Sequence, residues 1–153
     1  MKYTVVDGHC DTPMELWLRQ ENLRSNTCQV SLERAKKLSG YMQFYAFCTV
    51  WLEQDGSFEA HYAGALEHFN RQLDENKDRI VRCKNEADAR AAIGSGKCGA
   101  FLSIEGAEAI SCDPGKLELA CAQGVRMIAP AWNAQNALTG SCMTGGGLTA
   151  QGK

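Results

Sequence analysis

Long hydrophobic runs are missing from this chain: no apolar stretch approaches the roughly 18 residues needed to cross a bilayer. The opening MKYTVVDGHCD has one lysine and only two valines before polar residues return, which is not the pattern of a secretory signal. An excess of either charge is missing too. The formal net charge is −2, with no basic patch or acidic tail, so nucleic acid and anionic membranes are not expected partners. Cysteine is plentiful but its pairing is absent. The eight cysteines, at 10, 28, 48, 83, 98, 112, 121 and 142, form no C-x-x-C pair, which excludes a four-cysteine zinc site of ordinary spacing. The expectation is a cytoplasmic protein whose thiols stay reduced and serve as small hydrophobes. With 44% hydrophobic and 22% charged residues in 153, the chain has the composition of one globular domain rather than of a disordered segment.

Several short strand and helix patterns alternate along it. Tyr3 to Val6 reads as a buried strand, with Gly8 allowing a turn at its end. Thr12 is expected to cap a helix that Pro13 opens. A second helix is predicted over 31–38, and Tyr41 to Leu52 reads as a strand buried on both faces. A core helix is the alternative there, since period alone does not separate the two. A turn at Asp55-Gly56 leads to an amphipathic helix over 58–76, then a minor strand (80–83) and helix (86–93). Strands follow at 98–104 and 125–131, separated by a helix over 114–123, and residues 136–153 read as a loop. This alternation predicts an α/β fold with a parallel sheet and right-handed crossovers.

In such sheets chemistry collects where strands end, and His9, Asp11, Glu105 and Trp132 all fall at predicted strand ends. On extended backbone, residues i and i+2 share a face, so His9 and Asp11 project together and Cys10 points away. An imidazole beside a carboxylate suits a transition metal such as zinc. Glu105 has two oxygens and is able to bind one ion or bridge two. Plainer readings stand beside these. His-x-Asp alone is a weak motif, Asp11 also suits a helix cap, and Glu105 also suits a solvated rim. His61 and His68 lie on the long amphipathic helix and weigh little as ligand candidates.

Four blocks together say more. VVDGHCDTP (5–13), FLSIEGAEAI (101–110), GVRMIAPAWNAQNAL (124–138) and GLTAQGK (147–153) resemble, in order, stretches of the membrane (renal) dipeptidase family, the zinc peptidases of family M19. The resemblance implies a (β/α)8 TIM barrel, two zinc ions and a bridging water that attacks a dipeptide carbonyl. It implies His9 and Asp11 as ligands of one zinc and Glu105 as the catalytic bridge. Asp7 precedes the ligand pair, and its spacing suggests support for His9. Trp132 stands where well-known members carry a substrate-contacting histidine, so it enters as the substrate-binding candidate.

The family's remaining zinc ligands are two histidines on later strands, with no counterpart before Lys153. A barrel of this kind takes roughly 250 residues. The expectation for 1–153 is therefore the first half of the barrel, truncated, with unpaired sheet edges prone to self-association and with little or no activity by itself. Another metal-dependent amidohydrolase-like barrel, or a non-catalytic metal-binding remnant, are the alternatives.

Overall fold

The computed structural model describes residues 3–48 and 57–153. Its centre is a five-stranded parallel sheet. Strand β1 (Thr4–Cys10) pairs with β2 (Gly40–Phe47), and β2 pairs with β4 (Cys98–Glu105). The far edge of β4 is shared: β3 (Ile80–Arg82) takes Cys98 to Ala100, and β5 (Val125–Ala129) takes Leu102 to Glu105. The expected parallel pairing of the four main strands is what the fold contains. Helix α1 (Thr12–Arg19) follows β1, α3 (Phe58–Glu75) follows β2, and α5 (Pro114–Gln123) links β4 to β5. Two shorter helices are α2 (Leu32–Ala35) and α4 (Glu86–Gly94).

Register assigns the two faces of the sheet, because directly paired residues point the same way. Gln43 pairs with Ala100, Tyr45 with Leu102 and Phe47 with Ile104; this outer set packs on α1 and α3. Phe69 of α3 sits 4.7 Å from the Tyr45 ring and 6.1 Å from that of Phe47. Met14, Leu16 and Leu66 belong to the same core. The inner set alternates with it: Met42 pairs with Gly99, Phe44 with Phe101 and Ala46 with Ser103. The Phe44 and Phe101 rings stack at 4.9 Å. Below them Met42, Cys83 and Ala92 form a second cluster, against which Phe101 and Ile93 pack. A run apolar on both faces is what a strand between two layers requires, so the core-helix alternative for the segment after Tyr41 is excluded over 41–47.

Several local expectations are corrected. Thr12 does not cap α1 but is its first residue; Asp11 occupies the cap position and its side chain makes no capping bond. The helix predicted over 31–38 is the single turn Leu32–Ala35, capped by the Ser31 hydroxyl. The strand predicted to Leu52 is a strand through Phe47, while 49–52 and the turn at Asp55-Gly56 lie outside the described residues. The strand predicted over 125–131 stops at Ala129. Residues 136–153 are not an unpatterned loop: β6 (Thr139–Ser141) and β7 (Gly145–Leu148) form an antiparallel hairpin. No disulfide joins cysteines among the described residues. Four of the eight are buried and two, Cys121 and Cys142, are exposed, so core packing accounts for only part of the cysteine usage.

Candidate metal centre

β1 delivers His9 by an irregularity. Between the pairs Asp7–Gln43 and Cys10–Tyr45, β1 spends Gly8 and His9 where β2 spends only Phe44. That extra residue is a β-bulge, uncommon in parallel pairs and over-represented beside active sites. Cys10 then falls on the outer face with Tyr45 and joins the core. Burial pushes its thiol up to about 12, so it stays neutral. His9 and Asp11 flank it on the other side. Asp11 is held by the start of α1, where its carbonyl accepts the Met14 and Glu15 amides at 3.0 and 3.2 Å. With no capping duty, its carboxylate is available to the site.

Glu105 is the last residue of β4. Gly106 follows at φ 98°, in the region that favours glycine. Its amide bonds the Ala129 carbonyl at 3.2 Å, and the Ala107 amide bonds that of Pro130 at 3.3 Å. The end of β4 is thus tied to the end of β5, which explains the glycine of Ile-Glu-Gly. Asn136 organises the segment after β5. Its Nδ2 donates to Glu108 Oε1 at 2.9 Å and its Oδ1 accepts the Leu138 and Thr139 amides.

The three predicted ligand candidates converge. His9 Nε2 lies 3.5 Å from Asp11 Oδ1 and 3.6 Å from Glu105 Oε2, and one donor atom from each falls within 4.8 Å of the others. These separations exceed a normal hydrogen bond. They match the spacing of ligands around one ion: zinc–nitrogen and zinc–oxygen bonds of about 2.0–2.2 Å give tetrahedral edges of about 3.3–3.6 Å. One imidazole nitrogen with two carboxylate oxygens is a donor set that suits zinc, so the residues present fit the ion.

A cavity of about 190 Å³ surrounds the cluster, lined by His9, Asp11, Cys48, Glu105 and Trp132. Trp132 is half-buried in its wall. Cys48 was missed by sequence reasoning, although Phe44, Ala46 and Cys48 share a two-residue period that points to the inner face. A larger polar cavity of about 610 Å³ extends from His9 and Asp11 toward Glu15, Arg19 and Tyr41.

The remaining histidines are elsewhere. His68 is buried in α3, its Nε2 3.1 Å from the Glu21 carbonyl and its Nδ1 3.2 Å from Arg71 Nη2. His61 packs its ring 5.7 Å from that of Trp17. Asp7 does not reach the imidazole of His9: its Oδ1 accepts the His9 backbone amide at 3.1 Å.

The fold recurs in solved structures. A metallopeptidase from Rhodobacter sphaeroides, liganded with a phosphinate mimic of the dipeptide L-Ala-D-Ala, aligns with TM-score 0.79 at 24% identity, over 99% of this chain and 54% of that one. A dipeptidase of metallopeptidase family M19 aligns with TM-score 0.77 at 24% identity, over 99% and 52%. An amidohydrolase from Pseudomonas aeruginosa aligns with TM-score 0.66 at 21% identity, over 96% and 38%. The chain thus spans about half the length, or less, of these structures. The sequence pattern of one family, described as membrane dipeptidase (peptidase family M19), matches residues 1–153.

Proposed function

The chain belongs to the membrane dipeptidase family, peptidase family M19, and from that premise we propose that it contributes His9, Asp11 and Glu105 to zinc-dependent dipeptide hydrolysis. The observation that carries the reading is the convergence of one imidazole nitrogen and two carboxylate oxygens at ligand spacing. His9 would hold the ion through Nε2, Asp11 through Oδ1 and Glu105 through Oε2. A divalent ion bound there supplies positive charge that acidifies a water and polarises the scissile carbonyl. Three protein ligands leave a position open for substrate.

Glu105 has the further role. A carboxylate has two oxygens, so Glu105 is the residue that could serve a second ion as well as the first. Trp132 offers a flat apolar wall with one indole N–H donor, and this suits it to bounding a dipeptide side chain. The mimic bound by the R. sphaeroides protein supports a dipeptide-sized substrate.

A second ion needs donors beyond these three residues. Among the described residues no other such group of His, Cys, Asp or Glu converges, and His68 is already engaged in the helix layer. The 153-residue chain by itself is therefore expected to turn over dipeptides weakly or not at all. The test compares the zinc-loaded chain, a version extended to full family length, and the extended version carrying Glu105→Gln, on a panel of dipeptides and N-acyl amino acids. Turnover by the extended protein alone, with dipeptides preferred, is the expected result. Robust turnover by the short chain or by the Glu105→Gln protein would overturn the assignment, and a preference for N-acyl amino acids would favour the broader amidohydrolase-like reading.

A further inference from the structure

His9 reaches Glu105 only because β1 is out of phase with itself. Counting along β1 from the pair Asp7–Gln43, regular alternation would place His9 on the same face as Asp7. That is the outer face, where Gln43 and Tyr45 lie against the helix layer. The additional residue reverses the phase. It sends Cys10 outward to Tyr45 and leaves His9 with Glu105 on the inner side.

Something must hold an irregularity that parallel pairing does not favour. Glycine is the usual device, through a positive φ or a lack of space for a side chain. Neither applies to Gly8. It is not among the glycines with positive φ, and a Cβ built on it would meet nothing within 4 Å. The bonds present belong to its neighbours. Asp7 Oδ1 accepts the His9 amide at 3.1 Å, spanning the bulge. The Asp7 carbonyl accepts Gln43 Nε2 at 3.3 Å, and Gln43 is fully buried with its Oε1 bonded by the Tyr41 hydroxyl. Asp7 is therefore fixed on its main chain by a buried amide while its carboxylate fixes the residue two places on.

We infer that Asp7 is a positioning residue, whose carboxylate, by accepting the His9 amide, holds the bulge that turns the imidazole toward Asp11 and Glu105. The inference rests on the metal-site reading above and adds what sets its geometry. Asp7 acts through the backbone of His9, as a positioning residue and not as a ligand. What the site needs from it is a hydrogen-bond acceptor at Oδ1, not a negative charge.

The experiment is cobalt(II) titration of the full 153-residue chain, followed by the visible absorption of the bound ion, with thermal unfolding by circular dichroism in parallel. Asp7→Ala removes the acceptor and is expected to weaken cobalt binding about 10–100-fold, the usual cost of losing a group that orients a ligand, and to alter the visible band as the nitrogen donor is lost. Asp7→Asn keeps an oxygen acceptor without the charge and should bind within about threefold of wild type. Gly8→Ala should also bind normally. Asp113→Ala is the control for stability alone: it deletes an aspartate-to-amide bond of 2.8 Å at the start of α5, and should lower the melting temperature without moving the cobalt affinity or spectrum. Normal cobalt binding and spectrum in Asp7→Ala would overturn the inference. So would loss of binding in folded Asp7→Asn, which holds even where the alanine variant fails to fold. A wild-type chain that takes up no cobalt would instead overturn the metal-site reading itself.

Discussion

Replacing Phe69 with alanine should cost this chain about 4 kcal/mol of stability without disturbing the metal centre. Phe69 is fully buried and its ring packs from α3 onto the outer face of β2, against both Tyr45 and Phe47. A phenylalanine buries roughly 150–250 Å², which at about 25 cal/mol per Å² is roughly 4–6 kcal/mol. Compactness of the unfolded chain lowers that figure, while the cavity left between helix and strand raises the cost again, and measured Phe-to-Ala losses run about 3–5 kcal/mol. Domains of ordinary stability hold about 5–15 kcal/mol in total, so the variant should be folded but markedly weakened. With a urea slope of about 2 kcal/mol per M, its midpoint should fall by about 2 M. The assay is urea unfolding followed by circular dichroism, with Leu119→Ala as a reference. Leu119 is 59% exposed, and its loss should stay within about 0.5 kcal/mol. Cobalt affinity without urea should be unchanged in Phe69→Ala, because His9 and Glu105 lie on the opposite face of the sheet. A midpoint no lower than that of Leu119→Ala would refute the packing argument.

Other perturbations separate scaffold from site. Burial pushes the Cys83 thiol from an ordinary 9.0 up to about 11 and the Tyr62 phenol from 10.0 up to about 12. The unfolded chain therefore gives up these protons first, and stability should fall as pH rises above about 9 and level off near 11–12; urea midpoints that stay flat from pH 8 to 10.5 would contradict this. Gly99→Ala puts a Cβ 2.3 Å from Met42 Sδ and 2.9 Å from Cys83 Sγ, so the melting temperature should drop by roughly 3–9 °C, and an unchanged value would show that the inner cluster yields freely. His68→Ala should lose about 1–3 kcal/mol with cobalt affinity intact, whereas a tenfold weakening of cobalt binding would place His68 in the metal centre after all.

Much of the frame was legible in the residues themselves. The apolar runs around Tyr41 and Phe101, with a strand pattern at Val125 and helical patterns between, point to a parallel sheet, because strands covered on both faces bury such runs in that alternation. The strand pattern placed His9, Asp11 and Glu105 at strand ends; extended geometry predicted that His9 and Asp11 share a side, whereas β1 ends at Cys10 and Asp11 is the helix cap at φ −87° and ψ 8°. The boundaries of α2 and β5 and the 139–148 hairpin were less legible, since glycine-rich and polar segments carry little periodic signal. Only the tertiary structure decided which face each ligand candidate occupies. Local alternation continued from Asp7 sends His9 toward the helices; pairing with β2, more than thirty residues away, inserts the bulge that reverses it. The same holds for Asp11, whose carboxylate is left to the site because the helix start is satisfied through its backbone, and for Cys48, brought to the cavity wall by the register of β2 against β4. Periodicity reports how a segment meets its immediate surroundings, whereas register is settled between segments distant in sequence, and in this protein register is what assembles the centre.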